Sequence, residues 1–278
     1  EIAQCLVGSE MCIRDRPFLL PEATRNFEYI IKKMKHFIIA IILFFGISSM
    51  HIYSAETATV EIPDMEKIEN AVRDSRSPYY YPDLMKKYLG NDTTMTLQDF
   101  RHLYLGYASQ EDYNPYRTVE IPERIEKLYA QTVHTESECD SLIKYARIAL
   151  SDIPFDLRQI NFLIYGLRQK GETEEANLWE YRLKGIIQAI LSTGDGKAPE
   201  TAWFVIYPAD EYNIVNRQGF TATEFTFVEP YFDYISIEKN PLKIEGFYFN
   251  VKKLLKEYNR KFYAVSYTHL TLPTKLEV

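Results

Sequence analysis

The spacing of apolar residues changes once along this chain, and that change dictates a two-part fold. Up to Ser192 apolar residues recur every three or four positions, the period of a helix with one buried face. Beyond it they alternate in short aromatic and β-branched runs, the period of strands. Thr193-Gly194-Asp195-Gly196 and the stretch to Pro199 mark the boundary. The expected class is α+β: antiparallel helical hairpins, then a small antiparallel β-sheet with a C-terminal helix.

Punctuation along the first part predicts the individual helices. Met65, Ile68 and Val72 share one face after Pro63-Asp64. Pro82 opens a second helix to Tyr88, closed by Gly90-Asn91. Thr96 with Asp99 caps a third, striped by Leu97, Phe100, Tyr104 and Tyr107. Pro122 opens a helix to about Gln131, and Thr135 with Glu138 forms a capping box for the next. That helix faces inward through Cys139, Leu142, Ile143, Ala146, Ala149 and Leu150 until Pro154. Leu157 to Lys170 and Glu172 to Leu191 follow, hinged at Gly171.

In the second part Trp203 to Tyr207 reads as a short buried strand and Asp210 to Gln218 as a helix. Thr221 to Val228, Tyr231 to Glu238 and Lys243 to Asn250 read as strands of an antiparallel sheet. Val251, Leu254, Leu255, Tyr258 and Phe262 give a final amphipathic helix.

Both ends read as translated library adapter. Glu10-Met11-Cys12-Ile13-Arg14-Asp15-Arg16 back-translates to GAG-ATG-TGT-ATA-AGA-GAC-AGN, and Val265-Ser266-Tyr267-Thr268-His269-Leu270 to GTC-TCT-TAT-ACA-CAT-CTN. Apart from codon edges these are reverse complements of one DNA word. Residues 1–33 are therefore expected to be adapter and leader DNA, and 265–278 adapter. Met34-Lys35-His36 followed by apolar Phe37 to Ile47 and then Tyr53-Ser54-Ala55 has the plan of a secretory signal peptide over 34–55. The apolar run is far shorter than the roughly 20 residues of a membrane span. No cysteine stands near the cut, so the expectation is an exported protein, periplasmic or extracellular, and not a lipoprotein. The remainder divides into a helical part, 56–192, and a β-rich part, 193–264.

A net charge of −7 argues against nucleic acid, which needs basic stripes to neutralise phosphate. Two of the three cysteines, Cys5 and Cys12, fall in the expected adapter. The remaining Cys139 has no internal disulfide partner, so the fold must rest on its core.

The segment from Ala146 to Ile190 resembles tetratricopeptide repeats, with Pro154-Phe155-Asp156 at a repeat end, Gly171 in the turn and Ala176 at the small crossing position. A broader resemblance rests on Ser77-Pro78-Tyr79-Tyr80-Tyr81-Pro82, Asn91-Asp92-Thr93-Thr94, Arg101-His102-Leu103-Tyr104-Leu105-Gly106-Tyr107, Tyr113-Asn114-Pro115-Tyr116, Pro154-Phe155-Asp156-Leu157-Arg158, Ser192-Thr193-Gly194-Asp195-Gly196 and Ile244-Glu245-Gly246-Phe247-Tyr248-Phe249-Asn250. With these segments the chain resembles a secreted bacterial family classed only as a domain of unknown function (DUF4919). The resemblance implies export and helical-then-β order, and no chemistry.

The most unusual content is tyrosine. Tyr79, Tyr80, Tyr81, Tyr107, Tyr113 and Tyr116 cluster in and beside two loops. They are the candidate ligand-binding residues, since a phenol joins apolar area to a hydroxyl and suits sugar or peptide grooves; the plainer role is packing loops onto helices. Glu224, Asp233, Glu238 and Glu245 lie on expected strands and are candidates for a paired-carboxylate hydrolase, against the default of a solvated sheet face. Asp195 between glycines favours a tight loop over a calcium site. Asp99 with His102 favours a solvated helix face over a metal or acid–base pair, and Cys139 a buried inert thiol over a nucleophile. There is no nucleophile elbow, phosphate loop or zinc-protease helix, so no catalytic residue, metal or cofactor is assigned. Lys252, Lys253, Lys256, Arg260 and Lys261 line the last helix and offer a lipid contact or, more simply, a solvated polar face.

The expectation is a non-enzymatic binding module of the cell envelope, with protein, peptide or glycan as partner. A hydrolase and a structural or assembly protein are the alternatives.

Overall fold

The computed structural model describes residues 60–262. The expected adapter segments and signal peptide lie outside the described residues.

Helix boundaries fall where the capping chemistry places them. Helix α1 (Met65–Arg73) starts at Asp64, whose carboxylate accepts the Lys67 N–H at 3.2 Å. Helix α2 (Tyr81–Leu89) carries Pro82 in its first turn, where no N–H partner is required. Helices α3 (Leu97–Tyr107) and α5 (Glu136–Asp152) both open on complete capping boxes, Thr96 with Asp99 and Thr135 with Glu138. Between them lies α4 (Glu123–Tyr129). Helix α6 (Leu157–Gln169) is capped by Asp156, and Gly171 at φ 76° turns the chain into α7 (Thr173–Leu191).

These helices pack as successive hairpins. α5 lies against α6 and α6 against α7, while α3 runs through the centre and touches α1, α2 and α7. That position explains its composition: Phe100, Leu103, Tyr104, Leu105 and Tyr107 are buried on every side of it. Two glycines set the closest crossings. A Cβ on Gly185 of α7 would lie 2.4 Å from the Phe100 ring, and one on Gly166 of α6 would lie 2.8 Å from Ile143 Cγ1.

The β-rich part comprises β1 (Trp203–Phe204), α8 (Pro208–Arg217), β2 (Ala222–Val228), β3 (Phe232–Ile237), β4 (Gly246–Asn250) and α9 (Lys252–Phe262). The strands form one sheet in the order β1-β4-β3-β2. The expected antiparallel sheet is corrected in one respect: β1 pairs parallel to β4, so the sheet is mixed. The reason is topological. Helix α8 returns the chain to the end where β1 began, so β2 runs the same way as β1. Two hairpin reversals then leave β4 parallel to β1.

The buried strand expected from Trp203 to Tyr207 pairs only over Trp203 and Phe204. Val205, Ile206 and Tyr207 are equally buried, but Pro208 starts α8 and the ladder stops. Tyrosine hydroxyls replace it. Tyr104 Oη accepts the Ile206 N–H at 3.1 Å, and the Tyr113 hydroxyl donates to the Ile206 carbonyl at 2.6 Å.

Helical and β-rich parts share one core, continuous from Ile68 and Val72 through Phe155 and Ile190 to Ile235, Phe249 and Leu254. A smaller cluster of Ile125, Leu128 and Leu142 holds α4 onto α5.

Candidate functional site

Chemistry-bearing groups meet at the N-terminus of α8. Its first turn carries Asp210 and Glu211, which an isolated helix would present to water next to the positive end of its dipole. Here each sits four positions before a residue of the buried stripe that docks α8, Asp210 before Ile214 and Glu211 before Val215, and so they go inside with it. Asp210 is 1% exposed and Glu211 2%.

Asp210 receives the Tyr104 hydroxyl at 2.5 Å. Burial drives its carboxyl well above the usual range, against the pull of that bond. Tyr104 thus bridges the two parts of the fold, donating to Asp210 while accepting from Ile206.

Glu211 meets Asp233 of β3. Alternation places Asp233, Ile235 and Ile237 on the buried face of that strand, and Asp233 is 8% exposed. The two carboxyls are close enough that each shifts the other's titration. Burial raises both, Asp233 to about 6 and Glu211 well above the ordinary carboxyl range, where the charge of Asp233 adds to the effect. No donor among the described residues reaches Glu211 Oε1. A carboxyl pair in that setting holds a proton between its members, because two bare charges at contact in a water-poor site are too costly.

Tyr116 of the tyrosine loop lies within electrostatic reach of this pair. Burial and the negative charge of Asp233 push the Tyr116 phenol up to about 12. Its ring meets Tyr258 of α9 edge-on, centroids 5.6 Å apart. Burial also raises Tyr113, with Tyr116, Glu257 and Asp210 among its electrostatic neighbours.

The six tyrosines singled out from sequence separate into four places. Tyr81, Tyr107 and Tyr113 form a continuous run of rings, at 6.2 Å and 5.6 Å. Tyr107 and Tyr113 are buried, and Tyr107 also meets Phe155 edge-on. Tyr79 lies apart, stacked flat on His102 at 3.7 Å. Tyr80, half-buried, sits at the N-cap of α2. Tyr116 stands at the acid pair.

The strand carboxylates do not converge on one another. Glu224, Glu238 and Glu245 are exposed, and only Asp233 turns inward, toward a helical rather than a strand partner. Glu211 carried a legible signal, since its spacing to Ile214 and Val215 matches the buried stripe. Asp195 accepts from Thr201 Oγ1 at 2.6 Å and from the Lys197 N–H at 3.1 Å, which pins the boundary loop. Asp99 is taken up by its capping box, and burial lowers the neighbouring His102. Burial raises the Cys139 thiol. The basic face of α9 is partly spent internally: Lys253 pairs with Glu69, Arg260 with Glu257, and Lys252 lies over the Tyr231 ring. Among the described residues no group of three or more His, Cys, Asp or Glu side chains is placed to hold a metal, and no helix is long and apolar enough to cross a membrane.

Residues 66–260 match the family described as a domain of unknown function (DUF4919), nearly the whole described fold. The chain belongs to this family. The DUF4919 match spans both the helical hairpins and the sheet, so the acid pair and Tyr116 lie within the family's own domain. No curated protein and no solved structure matches the chain.

Proposed function

We propose that this DUF4919 protein is an exported, non-enzymatic binding module of the cell envelope. A catalytic acid or base has to touch the atoms it protonates. Glu211, Asp233 and Asp210 instead face one another and the tyrosines, and they join the helical part to the sheet.

The observation that carries the reading is the solvent face of the sheet. Opposite the buried Asp233, Ile235, Phe247 and Phe249, the strands present Phe232, Tyr234 and Tyr248, all half-buried. Tyr234 and Tyr248 are cross-strand neighbours with ring centroids 4.6 Å apart, and Tyr231 lies 4.7 Å from Phe232. Aromatic area that remains accessible on a sheet is suited to holding a polypeptide or a sugar. The repeat-like hairpins behind it supply a rigid mount.

The test is capture by the immobilised protein from an envelope extract, run beside a turnover panel of glycans and peptides. A specific partner without turnover supports the reading. Turnover that disappears in Glu211→Gln would replace it with the second reading, a hydrolase working through the Glu211–Asp233 pair, which the raised carboxyls favour.

A further inference from the structure

Strand β2 is the long outer edge of the sheet: seven residues, paired with β3 alone. The hydrogen-bond pattern shows which of its backbone groups are free. The Ile237 N–H donates to the Glu245 carbonyl, and the Val251 N–H donates to the Tyr231 carbonyl. Odd-numbered residues of β3 therefore turn toward β4, and Phe232, Tyr234 and Ser236 turn toward β2. Their partners Val228, Thr226 and Glu224 make the β2 ladder. Phe225 and Phe227 consequently direct their N–H and C=O groups outward. Among the described residues no backbone or side-chain hydrogen bond is made to them from outside the sheet.

We propose that this edge takes an extended polypeptide segment of a partner protein as an added strand. The proposal rests on the binding-module reading above and names its partner class. Only another extended backbone complements two N–H and two C=O groups spaced two residues apart. The side chains fit such a guest. Phe227, 38% exposed, borders one face of the edge, and Thr226 lies on the other beside Tyr234. Charge selects the occupant. Glu224 and Glu229 stand exposed at the two ends of the free edge, and the whole chain carries −7. A second copy pairing antiparallel about Thr226 would bring Glu224 of each copy beside Val228 and Glu229 of the other, placing like charges together at both ends. A guest with alternating apolar residues and a Lys or Arg at each end meets the edge without that conflict.

The probe is the synthetic peptide Lys-Val-Thr-Val-Thr-Val-Lys, titrated into the full chain with amide chemical shifts as the readout. Shifts centred on Phe225 and Phe227 are expected. Binding should weaken by about tenfold or more when alternate peptide nitrogens are methylated. Phe227→Pro removes an outward N–H and no ladder bond, so it should abolish binding while the melting temperature holds; Phe227→Lys, which keeps the backbone donor, is the second variant and should weaken binding by like charge with the peptide ends. Absence of β2 shifts at millimolar peptide, or binding indifferent to both variants, overturns the proposal. A β2-dependent dimer in sedimentation of the protein alone also overturns it, in favour of a second copy. Envelope capture that survives Phe227→Pro leaves the binding-module reading standing and refutes this edge as its site; loss of all capture by the unaltered protein removes that reading itself.

Discussion

Replacing Glu211 by Gln should stabilise the protein at neutral pH, although it alters one of the most buried polar side chains. Asp233 is raised from 3.8 to about 6, and Glu211 is raised in the same direction. The folded state therefore holds protons more tightly than the unfolded chain. For a raised carboxyl the cost is fully present above the folded value and is relieved as pH falls toward the unfolded one. At 1.36 kcal/mol per unit, ionising Asp233 in place costs about 3 kcal/mol at pH 7. Burial keeps that cost on Asp233 in the variant, but the introduced glutamine removes the separate cost of the raised Glu211, and its amide can donate to the Asp233 carboxylate, so the variant should gain about 1–3 kcal/mol, or about 3–10 °C in melting temperature. The unaltered protein should melt higher at pH 5 than at pH 8, and in the variant that rise should shrink. The surface carboxylates with lowered values, Asp64, Asp74, Asp92 and Glu138, lose their contribution only below this window, so they do not mask it. Calorimetry at pH 5, 6, 7 and 8 is the assay. A variant that melts lower at pH 7, with an unaltered protein that gains nothing on acidification, would refute the shared-proton pair.

Other substitutions probe the joints of the fold. Tyr113→Phe strands the buried Ile206 carbonyl and should cost about 1–3 kcal/mol in chemical denaturation. Gly185→Ala drives a methyl into Phe100 where α7 crosses α3, and should cost about 1–3 kcal/mol or more by the same measurement. Thr135→Ala removes the acceptor for the Glu138 N–H and should cost about 0.5–2 kcal/mol.

Local chemistry made much of this fold legible. The capping boxes at Thr96 and Thr135 sit at the helix starts they predict, because a cap is a contact between residues three apart. The period change near Ser192 located the passage from helices to strands for the same local reason. The parallel pairing of β1 with β4 was not legible, since strand order depends on where α8 returns the chain. The acid pair was half legible. Asp233 alternates with Ile235 and Ile237, which marks an inward carboxyl, but its partner is 22 positions earlier on a helix and no spacing rule joins them. The tyrosine clusters read as one feature in sequence, yet packing assigns Tyr113 to the core, Tyr79 to His102 and Tyr116 to the acid pair.

The central claim is that the enclosed carboxyls belong to the interior of the fold and that binding belongs to the exposed sheet. Envelope capture by the double variant Glu211→Gln, Asp233→Asn tests it most directly, compared with the unaltered protein at pH 7. The account predicts the same partners in the same amounts from a better-folded protein. Loss of capture by a folded double variant would contradict it and would place the function in the acid pair.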